Sequence, residues 1–267
     1  MTMYKAMTIA GSDTSGGAGM EADLKTFQEL GVYGMTALTC IVAQNPDADW
    51  AHEIYPIELS TIEKQLTTIL RGIGCDALKT GMLGSAELVE LVAQTIDKYN
   101  LKNAVIDPVM VCKGIDTIMV PEAAAAIKEL LVKRALAMTP NLLEAAYLAE
   151  MPAIATLEDM KQAAAKIHDN GCQYVILKAG DRLPGDEALE LVYDGKTFTE
   201  KRHPKISVAY NHGAGCTFSA AITAGLAKGQ PITEALEKAE AFIDAALHGS
   251  FRLNRWSGAL KHCAWRE

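Results

Sequence analysis

The chain has 267 residues, a length that α/β folds commonly fill as one unit, and we read 1–267 as a single domain. Its composition is 49% apolar but only 6% aromatic, which suits alanine-rich helices packed on a sheet and excludes a disordered chain. A formal charge of -8 without a dense Lys/Arg run supplies no basic patch for a phosphate backbone, so nucleic acid is not an expected partner.

In chain order, the apolar run KAMTIAG (5–11) predicts a strand, Ala18 to Leu30 a helix, and MTALTCIV (35–42) a second strand. Further strands are predicted at DALKTG (76–81), NAVIDPVM (103–110), ALAMTPN (135–141) and YVILKAG (174–180), with helical patterns between them. This βαβ rhythm, with strands apolar throughout rather than alternating, predicts a three-layer αβα sandwich on a mostly parallel sheet. Near the C-terminal end, LELVYDGKTFTEKR (189–202) places Asp194-Gly195 between two alternating runs, the signal of a type I′ antiparallel hairpin. Two helices are expected to close the chain. Met20, Leu24 and Phe27 are expected to form the core stripe of the first helix, with Asp23 at its border.

The segment MTMYKAMTIAGSD shows no charged leader followed by a long apolar stretch and cleavage site, and no run approaches the roughly 18 apolar residues that span a bilayer. A cytoplasmic protein without a membrane partner is therefore expected. The six cysteines, Cys40, Cys75, Cys112, Cys172, Cys216 and Cys263, lack CxxC pairs and zinc-type spacing and read as thiols.

Ligands of open parallel sheets bind beyond the carboxyl ends of the strands. Those ends carry Gly11-Ser12-Asp13, Gln44-Asn45, Lys79-Thr80-Gly81-Met82, Asp107-Pro108, Asn141 and Lys178-Ala179-Gly180. No P-loop is present. GAGMEA (17–22) matches G-x-G-x-x-A, but Gly11 to Gly16 separate it from the strand, and the second strand ends in Ala43-Gln44 rather than the acid that would hold a ribose. HGAGC (212–216) makes the better phosphate device. Gly213 and Gly215 let the backbone approach a ligand, and the unpaired N–H groups of a helix start attract negative charge. The same helix end favours a thiolate at Cys216, making it a candidate base or nucleophile; the alternative is a small apolar residue packing a helix start.

GAGC before a helix, AGSDTSGGAGMEADLKTF (10–27), KTGML (79–83), IDPVM (106–110) and TPNLLEA (139–145), in this order and almost end to end, resemble the ribokinase-like superfamily. More narrowly, they resemble the branch holding hydroxymethylpyrimidine (phosphate) kinases and the bacterial pyridoxal kinases related to them. Sugar kinases of the superfamily carry an aspartate where this chain has Cys216.

The resemblance implies transfer of the γ-phosphoryl group of ATP to a hydroxymethyl on a heteroaromatic ring. Cys216 would be the base toward the hydroxyl, with the backbone of Gly213, Ala214 and Gly215 stabilising the transferring group. By the same resemblance Asp107 and Glu144 hold Mg2+ through water. Asn141, Lys178, Gly215 and Lys238 serve the nucleotide, and Gly11, Asp23, Gln44, Met82 and Val109 face the acceptor ring. On the residues alone, Glu144 also reads as a first-turn acid, Asp107 as a turn former, Lys178 and Lys238 as solvated, and Met82 as core. Asp23 also reads as paired with a backbone N–H or Lys25.

Cys112 lies in PVMVCKGID (108–116), where Gly114 suits a mobile lid. A thiol at that place departs from the pyrimidine-kinase pattern and is similar to the dual-cysteine pyridoxal kinases, since it can add to an aldehyde as a hemithioacetal. That group implies cooperation of Cys112, His212 and Cys216 and a ring-pocket role for His52; a structural or exposed histidine is the other reading. Asn211 stands where pyrimidine kinases commonly have threonine. The implied activity is ATP- and Mg2+-dependent phosphorylation of pyridoxal, pyridoxine and pyridoxamine in a homodimer, with a K+ requirement left open. A hydroxymethylpyrimidine (phosphate) kinase and a non-catalytic vitamin-binding carrier are the alternatives.

Overall fold

The computed structural model describes residues 3–111, 117–180, 182–206 and 210–266. In chain order the strands and helices are β1 Lys5–Asp13, α1 Gly19–Glu29, β2 Tyr33–Asn45, β3 Ala51–Pro56, α2 Leu59–Thr67, β4 Ala77–Thr80, α3 Ala86–Tyr99, β5 Ala104–Ile106, α4 Pro121–Ala126 and β6 Ala137–Met138. They continue with α5 Leu142–Leu148, α6 Leu157–Asp169, β7 Tyr174–Gly180, β8 Glu187–Tyr193, β9 Phe198–Pro204, α7 Ala214–Ala227, α8 Ile232–His248, β10 Phe251–Arg252 and β11 Gly258–Ala259. The α/β class, with its mostly parallel sheet flanked by helices, is the expected one.

Two compact units divide the chain. The first runs to Gly84 and resumes at Ile206; the second is Ser85–Lys205. In the first, the strand order is β3-β2-β1-β4, with β1 parallel to β2 and β4 and β3 antiparallel at the edge. Buried residues run almost without break along β1, as a strand covered on both faces requires. Between Ala10 and Ser12 the β1–β2 register shifts, a bulge that re-aims the side chains beyond it. Gly11 sits inside this bulge; a Cβ there would stand 2.6 Å from the Cys40 sulfur.

The second unit orders its strands β5-β6-β7-β8-β9, parallel from β5 to β7 and antiparallel thereafter. The antiparallel pair β8–β9 is where the hairpin was expected, but its turn differs. Tyr193 pairs with Phe198, so residues 194–197 form the connection rather than a two-residue I′ turn. The Asp194 carboxylate accepts from the N–H groups of Lys196 (2.9 Å) and Thr197 (2.7 Å), which closes a longer, side-chain-stabilised loop.

Two further expectations are corrected. The buried face of α1 is Ala22, Asp23, Thr26 and Phe27, while Met20 and Leu24 are half-buried. The small Ala22 and Thr26 bring the helix close to its neighbours, and Asp23 enters the centre of that face because a buried cation meets it. After α7 and α8 the chain does not simply end: β10 and β11 pair antiparallel, and a 3-10 turn covers His262–Arg266. β3, every residue of which is exposed, was not foreseen because it lacks the apolar run that marks the inner strands. Among the described residues no helix is long and apolar enough to cross a membrane.

Candidate active site

In the first unit, α7 begins at Ala214 after Gly213, whose φ of 85° is left-handed. A Cβ on Gly213 would run into the carbonyl oxygen of Gly17, so the turn that presents the helix N-terminus needs glycine for two reasons. Gly213→Ala is expected to cost at least about 1–2 kcal/mol for the backbone conformation alone and to lower activity with it; unfolding midpoints and initial rates of the variant check this. Cys216 lies in the first turn, half-buried, and from Thr217 onward the helix is buried along its whole length. A helix apolar on all sides is held by its neighbours, which fixes the direction of its N-terminal N–H groups.

His212 precedes the cap. Its Nε2 lies 2.7 Å from Asp13 Oδ2, and its main chain bridges Ala259 on β11. Gly17 makes room for the imidazole, since a Cβ there would stand 2.6 Å from the ring. That is the role of the first glycine of GAGMEA in this chain. Asp13 Oδ1 also accepts from Gln44 Nε2 at 2.7 Å. Burial pushes the Asp13 carboxyl upward, but the hydrogen bond and charge of His212, with help from Ser15 and Gln44, hold it well below the usual carboxylate range. His52 is exposed on β3 directly opposite Gln44; desolvation of its ring and the His212 charge keep its pKa below the usual value. Met82 is half-buried, its carbonyl accepting from Thr39 Oγ1 at 2.7 Å and its sulfur 3.8 Å from that of Cys40, which places it beside the Gly11 bulge.

Asp23 is fully buried, 2.9 Å from Lys79 Nζ, and accepts from Thr8 Oγ1 at 2.6 Å. Its cationic partner is Lys79 rather than Lys25, which donates to the Gly16 carbonyl. The Asp23 carboxylate is thus engaged inside the first unit. Lys238 is half-exposed on α8, 3.2 Å from Glu234 one turn earlier, the geometry of a solvated helical face.

In the second unit, Asp107 follows β5 and is buried; its Oδ1 accepts from Thr139 Oγ1 (3.2 Å) and Lys178 Nζ (3.3 Å). Lys178 is not solvated as its position at a strand end allowed: its side chain is 17% exposed and paired with that carboxylate. Asn141 caps α5, accepting from the N–H groups of Leu143 (2.9 Å) and Glu144 (3.1 Å), and the Glu144 side chain returns to the Asn141 N–H at 2.9 Å. This capping box holds Glu144 where its other oxygen accepts from the Met110 N–H at 3.4 Å. Val109 is half-buried and donates its N–H to the Asp107 carbonyl. Burial raises the Glu144 carboxyl to about 7, with Lys178 opposing the rise and Asp107 adding to it.

That shift sets a pH dependence. The folded pKa lies above the unfolded one, so folding keeps a proton that the unfolded chain has lost, and stability falls as pH rises from about 4.5 to about 7. The loss is on the order of 3 kcal/mol. Glu144→Gln is expected to flatten this slope, measured as unfolding free energy at pH 5 and pH 7.5 without added divalent ion.

Asp13 and Thr139 are the site residues that sequence reasoning did not single out. Asp13 stood among the polar strand ends without a role, and only its distance to His212, which is remote in sequence, gives it one. Cys112 and Gly114 lie outside the described residues.

The first unit thus carries a thiol in a glycine-capped helix start, and the second a group of Asp107, Lys178 and Glu144 held close together; these are the features that the resemblance to the ribokinase-like class implies. The family described as phosphomethylpyrimidine kinase matches residues 13–261, and the chain belongs to that family. Pyridoxine kinase of Bacillus subtilis (strain 168) is 53% identical over 266 residues, covering 100% of this chain and 98% of the relative. Hydroxymethylpyrimidine/phosphomethylpyrimidine kinase of the same organism is 41% identical over 267 residues, covering 100% and 97%. The crystal structure of an ADP complex of Bacillus subtilis pyridoxal kinase superimposes with a TM-score of 0.96 at 53% identity, covering 99% of each chain.

Proposed function

We propose that the protein is a kinase that transfers the γ-phosphoryl group of ATP to the 5′-hydroxymethyl of pyridoxal, and also of pyridoxine and pyridoxamine. The observation that carries this is the Cys216 thiol in the first turn of α7 behind the left-handed Gly213 cap, in a chain 53% identical to a pyridoxine kinase. In this reading the Cys216 thiolate takes the hydroxymethyl proton, and the freed oxygen attacks the γ-phosphorus. The bond to the β,γ-bridging oxygen breaks and ADP leaves. The N–H groups of Gly213 and Gly215 are assigned to the charge on the transferring group, which needs positioning and neutralisation more than covalent help; that of Ala214, expected to join them, donates to the Asn211 carbonyl at 3.2 Å.

On the acceptor side we assign Gly11, Gln44, His52 and Met82 of the first unit, with His212 supporting the base. Asn141 and Lys178 are assigned to the nucleotide phosphates, and Val109 to the acceptor ring. Asp107 and Glu144 fit Mg2+: both are buried oxygen donors, and Glu144 has a pKa raised enough that a cation would favour its ionised form. The ion would neutralise charge on the phosphates. A homodimer, a cytoplasmic location and 1–267 as one kinase domain belong to the same reading, which leaves a K+ requirement open.

The choice of pyridoxal over the pyrimidine rests on Cys112 and on the relatives. The second reading, a hydroxymethylpyrimidine (phosphate) kinase of thiamine synthesis, is favoured by the 41% identical relative of that name. A coupled assay for ADP release tests the first: release that requires pyridoxal supports a kinase, and binding of the vitamin without release would leave a carrier.

A further inference from the structure

Asp13 has no part in the roles assigned above, yet its carboxylate is held by several elements of the first unit at once. It is 5% exposed and follows the Gly11 bulge at the end of β1. Oδ1 accepts from the Ser15 N–H (2.9 Å) and from Gln44 Nε2 (2.7 Å). Oδ2 accepts from the Ala18 N–H (2.8 Å) and Ser15 Oγ (3.0 Å), and lies 2.7 Å from His212 Nε2. Its own N–H donates to Glu21 Oε2 at 2.8 Å, and Ser12 Oγ to Glu21 Oε1 at 2.6 Å, tying the strand end to α1. The carboxylate is therefore immobilised from β1, the loop after it and α1. It reaches out to two elements far away in sequence, β2 through Gln44 and the α7 cap through His212.

An ionised carboxylate only accepts hydrogen bonds. The imidazole nitrogen that meets it must carry a proton, so His212 is the Nε2–H tautomer when neutral and Nδ1 is the nitrogen left to gain or release one. By the same logic the Gln44 amide presents its NH2 to Asp13 and keeps Oε1 as the acceptor it offers elsewhere. We infer that Asp13 is a positioning residue of the phosphotransfer site, locking the His212 tautomer and the Gln44 amide orientation together. The inference deepens the proposed function, since it rests on the roles given there to His212 and Gln44. It also gives the Gly11 bulge and the Gly17 gap a purpose: one aims the carboxylate, the other admits the ring it holds.

The test uses the full-length protein with 15N-labelled histidine, His212 being assigned by its absence in His212→Gln. At pH 8 without ligand, the His212 ring is expected to show the Nε2–H pattern. In Asp13→Asn, which keeps the size but loses the charge and the second acceptor oxygen, the pattern is expected to become a tautomer mixture. Turnover with pyridoxal is expected to fall about 10- to 100-fold, with KM for ATP within about threefold of wild type because Asn141 and Lys178, assigned to the nucleotide phosphates, are untouched by the change. An Nδ1–H ring in the wild-type protein overturns the inference, and that reading stands even if Asp13→Asn does not fold. A changed ring spectrum with turnover within threefold, or a loss of turnover with an unchanged spectrum, overturns it as well. Should wild type phosphorylate neither pyridoxal nor hydroxymethylpyrimidine, the proposed function fails while the ring spectrum still decides the tautomer lock.

Discussion

Cys216→Ala is expected to lower turnover by about 10²- to 10⁴-fold, the range over which a positioned base acts, while ATP binds within a few-fold of wild type. The separation follows from where the residue sits. Gly213 supplies the left-handed cap and the body of α7 is buried independently of position 216, so the anion-binding N–H groups keep their direction when the thiol is removed. What is lost is the group that takes the hydroxyl proton. Cys216→Ser is expected to remain slow, because a hydroxyl is far harder to ionise than a thiol. Single-turnover rates together with nucleotide titration measure both quantities; near-normal turnover in the alanine variant defeats the role of Cys216.

The second large effect is on stability. Lys79 and Asp23 form an ion pair whose side chains are both 0% exposed, with Thr8 completing the carboxylate at 2.6 Å. Lys79→Ala leaves that carboxylate buried without the ammonium, and removing one partner of a buried pair costs about 3–5 kcal/mol. Against a typical domain stability of about 5–15 kcal/mol, the unfolding midpoint should fall by on the order of 10 °C. The double variant D23L/K79M is expected to recover much of this loss, since buried pairs can often be replaced by apolar residues of similar volume. Denaturant unfolding of the two variants checks the ordering. A single variant as stable as wild type would mean that the pair is not buried as described.

The parallel strands and the glycine-capped thiol were legible because each is written in one short window. YVILKAG (174–180) became β7, Tyr174–Gly180, without adjustment, since a continuous apolar run flanked by helices has few other solutions. The motifs at strand ends likewise placed Asp107, Asn141, Glu144 and Lys178 in one polar group of the second unit. What was not legible depends on residues distant in sequence. Asp23 could not be matched to Lys79, 56 positions away, so a helix border was expected where a buried charge stands. Asp13 meets His212 across 199 positions, and no local pattern announces such a pair. The hairpin turn failed for a local reason: the Asp194 side chain competes for the N–H groups that a type I′ turn would leave alone.

The most direct test of the central claim is ATP-dependent phosphorylation of pyridoxal and of hydroxymethylpyrimidine side by side, with Mg2+ and K+ present and products identified by mass. The account predicts faster conversion of pyridoxal to its 5′-phosphate. Preference for the pyrimidine, with a second phosphate added to the monophosphate, would contradict it and assign the chain to the thiamine-precursor kinases of its family.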